Sequence, residues 1–290
     1  MACERQHPNF KRHIRVNIMP SPSIEGTPRG YVIPIGGGEE KVNNPEILSK
    51  FVELSGGKEA VITVIPTASQ LDDTGERYQK IFEEIGVKKT YSLPITERKD
   101  AQKDSYVETL EKSTGIFVTG GNQLRLSTIL GGTPIAKTIR QLNAQGVHYA
   151  GTSAGAAIVS QHMITGGSTG IVPTEDGVNL APGMGLINTI VVDQHFNERN
   201  RLARLLSAVS YNPFLIGLGL DEDTAAFIDH NNEFTVVGSG AITVIDPSDI
   251  EHSSMAEART GDALTLVNLK LHILAAGGRF NINERKAYTS

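Results

Sequence analysis

The sequence predicts an α/β fold: a mostly parallel sheet covered by helices on both faces, with a β meander at its C-terminal end. Three observations carry this prediction. From Gly30 onward, short continuous apolar runs alternate with segments of helical period. The apolar runs stop at glycines, at Gly36, Gly37 and Gly38, at Gly120 and Gly121, and at Gly151. After residue 166 the pattern changes, and beyond 214 short strands joined by turns dominate. Strand–helix alternation at this spacing marks βαβ units, and runs apolar along their whole length belong to strands buried on both faces.

Each element follows in order. Residues 31–35 form a strand, and 44–54 a helix with Ile47, Phe51 and Leu54 on one side. Residues 60–65 form a second strand. The helix at 75–85 carries Tyr78, Ile81, Phe82 and Ile85 in one stripe. A strand at 88–93, a helix at 101–110 and a strand at 115–119 come next, then two helical segments split at Gly131 and Gly132. A strand at 146–150 ends at Gly151, and a helix runs from Ser153 past His162. Residues 166–185, rich in Gly, Thr, Asn and Pro, form a long functional loop or a small hairpin. A strand at 187–192 leads to a helix at 198–209, where Leu202, Leu205, Leu206 and Val209 make the apolar stripe. Strands at 214–220, 224–229, 234–237 and 241–245 complete the meander, with a turn at His230 to Asn232 and an alternating stretch at 264–273. The meander is expected to join the same sheet. No repeat or Pro/Ser linker divides 30–290, which reads as one domain; 1–29 reads as a disordered, Pro-containing arm.

Composition narrows the function. With 27 basic and 32 acidic side chains the formal charge is −5, which argues against general nucleic-acid binding. No apolar run approaches the ~20 residues that cross a bilayer. Cys3 is the only cysteine, so an intrachain disulfide or thiolate zinc cluster is excluded, and no His or Cys spacing fits a metal site. No apolar segment follows the basic residues of the N-terminal arm, so the expected compartment is cytoplasmic.

Chemistry concentrates at strand ends. Gly151, Ser153 and Gly155 fit G-x-S-x-G between a strand and a helix, the context of a nucleophile elbow. The N–H of Ala154 would then point at an oxyanion. A helix N-cap serine between packing glycines fits the same pentapeptide. A serine nucleophile needs a base. Of eight histidines only His195 follows a buried strand of the sheet's second half; His148 lies within a strand and His162 on the elbow helix. Asp221, Glu222 and Asp223 follow the strand at 214–220, and any of them could orient the imidazole. Gly120 and Gly121 offer oxyanion donors and Gln123 a substrate contact, although Asn122 as a helix N-cap also explains this turn. Gly36 to Gly38 lack dinucleotide or P-loop spacing and read as a turn lining the site. Arg199, Arg201 and Arg204 suit an acidic substrate, with Arg204 alone reading as a solvated helix face.

The elbow at 151–156, the stretch Asp193, Gln194, His195, Phe196 with Arg199, Arg201 and Arg204, and the stretch from Gly219 to Ala225 together resemble the serine peptidase family that holds the cyanophycinases and dipeptidase E. The resemblance spans residues 30 to about 245. It implies a flavodoxin-like fold akin to class I glutamine amidotransferases, with serine replacing cysteine. It implies a triad of Ser153, His195 and Glu222, oxyanion donors at Ala154 and Gly121, and no cofactor or metal. Substrate binding falls to Gln123, Asp193, Gln194, Arg199, Arg201 and Arg204. The implied substrate is cyanophycin, a polyaspartate with arginine on each β-carboxyl, cut to β-Asp-Arg dipeptides. In this reading the arginines take substrate carboxylates and Asp193 takes a substrate guanidinium. Aspartyl or isoaspartyl dipeptides are the alternative substrates, and a catalytically silent binding protein is the non-enzyme alternative. The short C-terminal strands point to a homodimer.

Overall fold

The computed structural model of the chain describes residues 19–289, so most of the N-terminal arm lies outside the described residues. The first half is built as predicted: β1 (Val32–Ile35), α1 (Glu46–Leu54), β2 (Val61–Ile65), α2 (Thr74–Ile85), β3 (Lys89–Ser92), α3 (Asp104–Leu110), β4 (Gly115–Val118), α4 (Gln123–Leu130), α5 (Pro134–Ala144) and β5 (His148–Thr152). Five strands pair in parallel in the order β3, β2, β4, β5, β1. Strand alternation feeds two cores. Ile33, Ile62, Val64 and Phe117 face α1 and α2, whereas Val32, Ile65, Ile116 and Val118 face α4 and α5. On the first face Phe51, Tyr78, Phe82 and Phe117 interlock, with the Tyr78 and Phe117 ring centroids 4.7 Å apart.

The second half departs from the prediction in three places. The elbow helix α6 spans only Ala154–Ala157. All its residues are buried, and the chain must turn before it meets a polar surface, so His162 opens strand β6 (His162–Gly167) and is exposed. Strand β7 (Val178–Pro182) pairs with β6 in a hairpin from His162 to Pro182, the second of the two forms expected for this region. After β8 (Ile190–Gln194), helix α7 begins late, at Leu202–Tyr211. Asn200, with φ +50, interrupts the helical geometry, so Arg199 and Arg201 precede the helix.

The meander does not stay in one sheet. Strands β9 (Ile216–Leu220), β10 (Thr224–Ile228), β11 (Glu233–Gly238) and β12 (Ala241–Asp246) lead to a small pair, β13 (His252–Ser253) and β14 (Leu266–Val267). Then come β15 (Lys270–Ala275), β16 (Arg279–Asn281) and β17 (Lys286–Tyr288). Strands β10, β11, β16 and β17 extend the large sheet in antiparallel fashion beyond β1, while β8, β9, β12 and β15 form a second, four-stranded sheet. The turn at Asp221 to Asp223, with Asp223 at φ +49, carries the chain from one sheet to the other. Gly217 and Gly219 leave β9 without side chains where Leu205, Val209 and Phe196 pack on it, giving that face of the second sheet a separate cluster, while Ile190, Leu218 and Val244 on its other face join the core of the large sheet. Among the described residues no helix is long and apolar enough to cross a membrane.

Phe117 is fully buried at the centre of the aromatic cluster. Phe117→Ala is expected to lower the unfolding free energy by about 3–5 kcal/mol, read from the urea midpoint with an unchanged m-value.

Candidate active site

Loops leaving the C-terminal ends of β1, β2, β4, β5 and β8 converge on one cavity of about 590 Å³, as expected for an open sheet of this class. Ser153 leaves β5 with φ +53 and ψ −106, the strained backbone of an elbow. Its flanking glycines are sterically required. A Cβ on Gly151 would lie 2.2 Å from the Gly155 carbonyl oxygen, and one on Gly155 would lie 2.3 Å from that of Val118. The Ser153 side chain makes no N-cap bond, so the elbow geometry prevails over the capping alternative.

His195 and Glu222 come from the second sheet. Strands β8 and β9 are parallel neighbours with Gln194 opposite Leu220, so the next residues of both chains emerge side by side. Ser153 Oγ and His195 Nε2 are 2.9 Å apart, and His195 Nδ1 and Glu222 Oε1 are 2.6 Å apart. The geometry also separates the three acids. Asp221 accepts from the N–H groups of Asn197 and Ala241, and Asp223 accepts from the Glu40 N–H and the Ser239 hydroxyl. Only Glu222 of the three meets the imidazole.

The glycines at 36–38 are the floor of this arrangement, a role that sequence reading gave only as a lining turn. The Gly36 carbonyl accepts from the His195 N–H at 2.8 Å. A Cβ on Gly37 would lie 2.3 Å from His195 Cε1, and one on Gly38 would lie 2.8 Å from Glu222 Oε2. Gly121, at φ +142, passes within contact distance of the Ala68 carbonyl, where no side chain fits. Among the described residues neither the Gly121 N–H nor the Ala154 N–H has a protein acceptor. Asn122 caps α4 by accepting from the Arg125 N–H, as the N-cap reading of that turn expects.

The remaining predicted residues divide into wall and support. Gln123 lines the cavity, its amide nitrogen donating to the Ile164 carbonyl of β6 at 3.1 Å. Gln194 is buried and lines the cavity, and its Oε1 has no partner among the described residues. Arg199 is exposed at the cavity wall. Arg204 is not a solvated helix residue: it is 5 % exposed, because α7 is covered by the β6–β7 hairpin as well as by β9. Its Nε donates to Asp193 Oδ2 at 2.6 Å and its Nη2 donates to Oδ1 of the same carboxylate. Arg201 Nη1 donates to Asp193 Oδ1 at 3.4 Å and to the Gln194 carbonyl. Asp193 is thus wholly buried beneath the arginines, and its carboxylate faces their guanidinium groups rather than the cavity. Burial pulls Arg201 down to about 10, which leaves it charged at neutral pH.

Sequence reasoning passed over Glu39. It is buried, accepts from the Tyr78 hydroxyl at 2.6 Å and the Thr152 hydroxyl at 2.5 Å, and pairs with Lys41 at 3.2 Å. Its sequence signal was the charged run that follows three glycines at a strand end.

The sequence pattern of the peptidase family S51 matches residues 32–237. The chain belongs to peptidase family S51. It is 43 % identical over 256 residues to a cyanophycinase of Nostoc sp. strain PCC 7120, covering 88 % of this chain and 86 % of that one. A cyanophycinase of Geminocystis herdmanii is 44 % identical over 255 residues, 87 % of this chain and 94 % of its own. A peptidase E of Nostoc is more distant, 26 % identical over 67 % of this chain and 78 % of its own. Among solved structures, a peptidase from an acI-B1 Actinobacterium shares the fold, with TM-score 0.66 and 23 % identity over 88 % of this chain and 98 % of that one. S51 membership makes the chain a serine-type peptidase, and the fold expected from the resemblance stands.

His195 must be neutral to act as a base. Burial, the largest influence, holds it below its ordinary value; the Glu222 hydrogen bond opposes this, while Arg199 and Arg201 add to it. The acidic limb of kcat/KM is therefore expected below the ordinary imidazole value of about 6.5. Arg199→Met, which removes a repelling charge, should move that limb to higher pH in a pH–rate profile. Gly37→Ala, which presses on the imidazole, is expected to lower kcat on the order of 100-fold while far-UV circular dichroism stays unchanged.

Proposed function

We propose that this chain hydrolyses cyanophycin to β-Asp-Arg dipeptides through an acyl-enzyme, with Ser153 as nucleophile, His195 as general base and acid, and Glu222 as its orienting carboxylate. The continuous line of hydrogen bonds from Ser153 Oγ through His195 to Glu222 is the observation that carries it. Ser153 Oγ attacks an aspartyl backbone carbonyl and its proton passes to His195 Nε2. The N–H groups of Gly121 and Ala154 hold the oxyanion. The C–N bond then breaks, His195 gives its proton to the leaving amine, and water releases the acyl group by the reverse proton path.

Substrate selection follows from charge. Arg199, Arg201 and Arg204 line the cavity as cations for substrate carboxylates, the last two held rigid by Asp193. Asp193 serves as a positioning residue, since its oxygens are occupied. The unpaired Oε1 of Gln194 takes over the acceptor role toward a substrate guanidinium or amine, because a buried carbonyl without a donor gains most from one. Gln123, anchored to β6, orients the substrate backbone. Residues 30–290 act as one catalytic unit, supported by a core that runs from Val32 to Ile282. A homodimer is part of the reading: edge strand β15 turns Leu271 and Ile273 to solvent, at 52 % and 68 % exposure.

Ser153→Ala is expected to abolish release of β-Asp-Arg from insoluble cyanophycin, a loss on the order of a million-fold. Glu222→Gln should lower kcat on the order of 10,000-fold with KM little changed. Parent-like turnover by Ser153→Ala would refute the assignment. Cleavage of Asp-X dipeptides in preference to the polymer would favour the peptidase E type of substrate.

A further inference from the structure

The cavity straddles the edge of the large sheet. Gln123 of α4 and Arg204 of α7 lie on one side of Ser153, together with Arg199, Arg201 and Gln194. Lys41, Ser69, Thr74, Arg77, Tyr78 and Ile81 line the other side, over the face that α2 covers. None of the substrate contacts proposed above lies in this second lobe. A peptidase nucleophile between two lobes has substrate on both sides of the scissile bond.

The second lobe is cationic, and one of its cations is fixed. Lys41 Nζ donates to the Glu39 carbonyl at 2.8 Å and pairs with Glu39 Oε1 at 3.2 Å, and it lies 5.9 Å from the Tyr78 ring centroid. Glu39 is itself clamped by Tyr78 and Thr152, so its carboxylate has no free face for a ligand. The turn is held as well: Glu40 Oε1 accepts from the N–H groups of Lys41, Val42 and Asn43, and the Glu40 N–H donates to Asp223. Lys41 therefore presents a partly exposed ammonium on a rigid support. Arg77 lines the same wall, and its guanidinium has no hydrogen bond or ion pair among the described residues.

We propose that Lys41 and Arg77 form a second carboxylate-binding subsite, which holds a carboxylate of the substrate unit across the scissile bond from the arginine lobe, with Glu39 as the positioning residue for Lys41. This rests on the cyanophycin reading, whose units each carry a free arginine carboxylate. An ammonium whose orientation is already fixed loses little entropy on binding an anion, so the contact favours affinity rather than the chemical step.

The test uses a substrate of two β-Asp-Arg units, with one scissile backbone bond, and three analogues, each with one carboxylate converted to its amide. Binding is measured by calorimetry on the inert Ser153→Ala protein, and turnover on the active enzyme. One of the three amides should bind at least tenfold more weakly than the parent substrate. The double variant Lys41→Met/Arg77→Met should raise KM for the unmodified substrate at least tenfold, with kcat within threefold, and should no longer distinguish it from that amide. Arg77→Met alone, on an exposed side chain that folding does not need, should raise KM at least threefold. An unchanged KM in Arg77→Met, or retained preference for the carboxylate in the double variant, overturns the subsite. An active enzyme that fails to cut the unmodified two-unit substrate overturns the cyanophycin reading first, before any variant is compared.

Discussion

Close approach of backbone to side chain at the strand ends is the constraint on which this site depends. An imidazole and a carboxylate must lie flat between the loop that follows β1 and the elbow that follows β5. Any side chain at Gly37 or Gly38 would occupy the volume of His195 or Glu222. Glycine at these positions is thus a requirement of the neighbours rather than of the turn alone, although both also adopt positive φ. The same logic repeats at Gly151 and Gly155, where helix α6 packs against β4 and β5 with no room for a methyl group. Ser153 and His195 are both held at positive φ, a strain that only a tightly packed surround sustains.

Electrostatics completes what packing begins. Three arginines within six residues would repel one another in a partly dry cavity. Asp193, wholly buried below them, offsets that repulsion for Arg201 and Arg204 and fixes their planes. Burial above all, with the residual positive field of Arg199 and Arg201, holds the His195 imidazole below its ordinary value against the pull of Glu222. On the opposite wall a single buried carboxylate, Glu39, does the equivalent work for Lys41, and it ties the loop after β1 to Thr152, the residue before Ser153.

The alternation of apolar runs and helical stripes located the first ten elements to within a few residues, because burial on both faces leaves an unambiguous pattern. Ser153 and His195 were legible for the same reason: each follows a strand whose end is marked by composition. Glu222 was not separable from Asp221 and Asp223 by position, because the choice depends on the parallel register of β8 and β9, a long-range pairing. The burial of Arg204 was misread because a helical wheel assumes one solvent face, and α7 has a hairpin on that side. The division of the meander between two sheets was likewise invisible, since it turns on the dihedral angles of one short acidic turn.

Ser153 belongs to one sheet, whereas His195 and Glu222 belong to the other. The Oγ–Nε2 contact therefore joins two sheets that pack on one shared core, where Val32 and Val118 of the first meet Ile190 and Leu218 of the second. A slip of about 1 Å between the sheets would break that contact while every strand stayed paired. Warmed gradually, such a molecule would fall silent before it melts, so inactivation would mark the loosening of the joint between its halves.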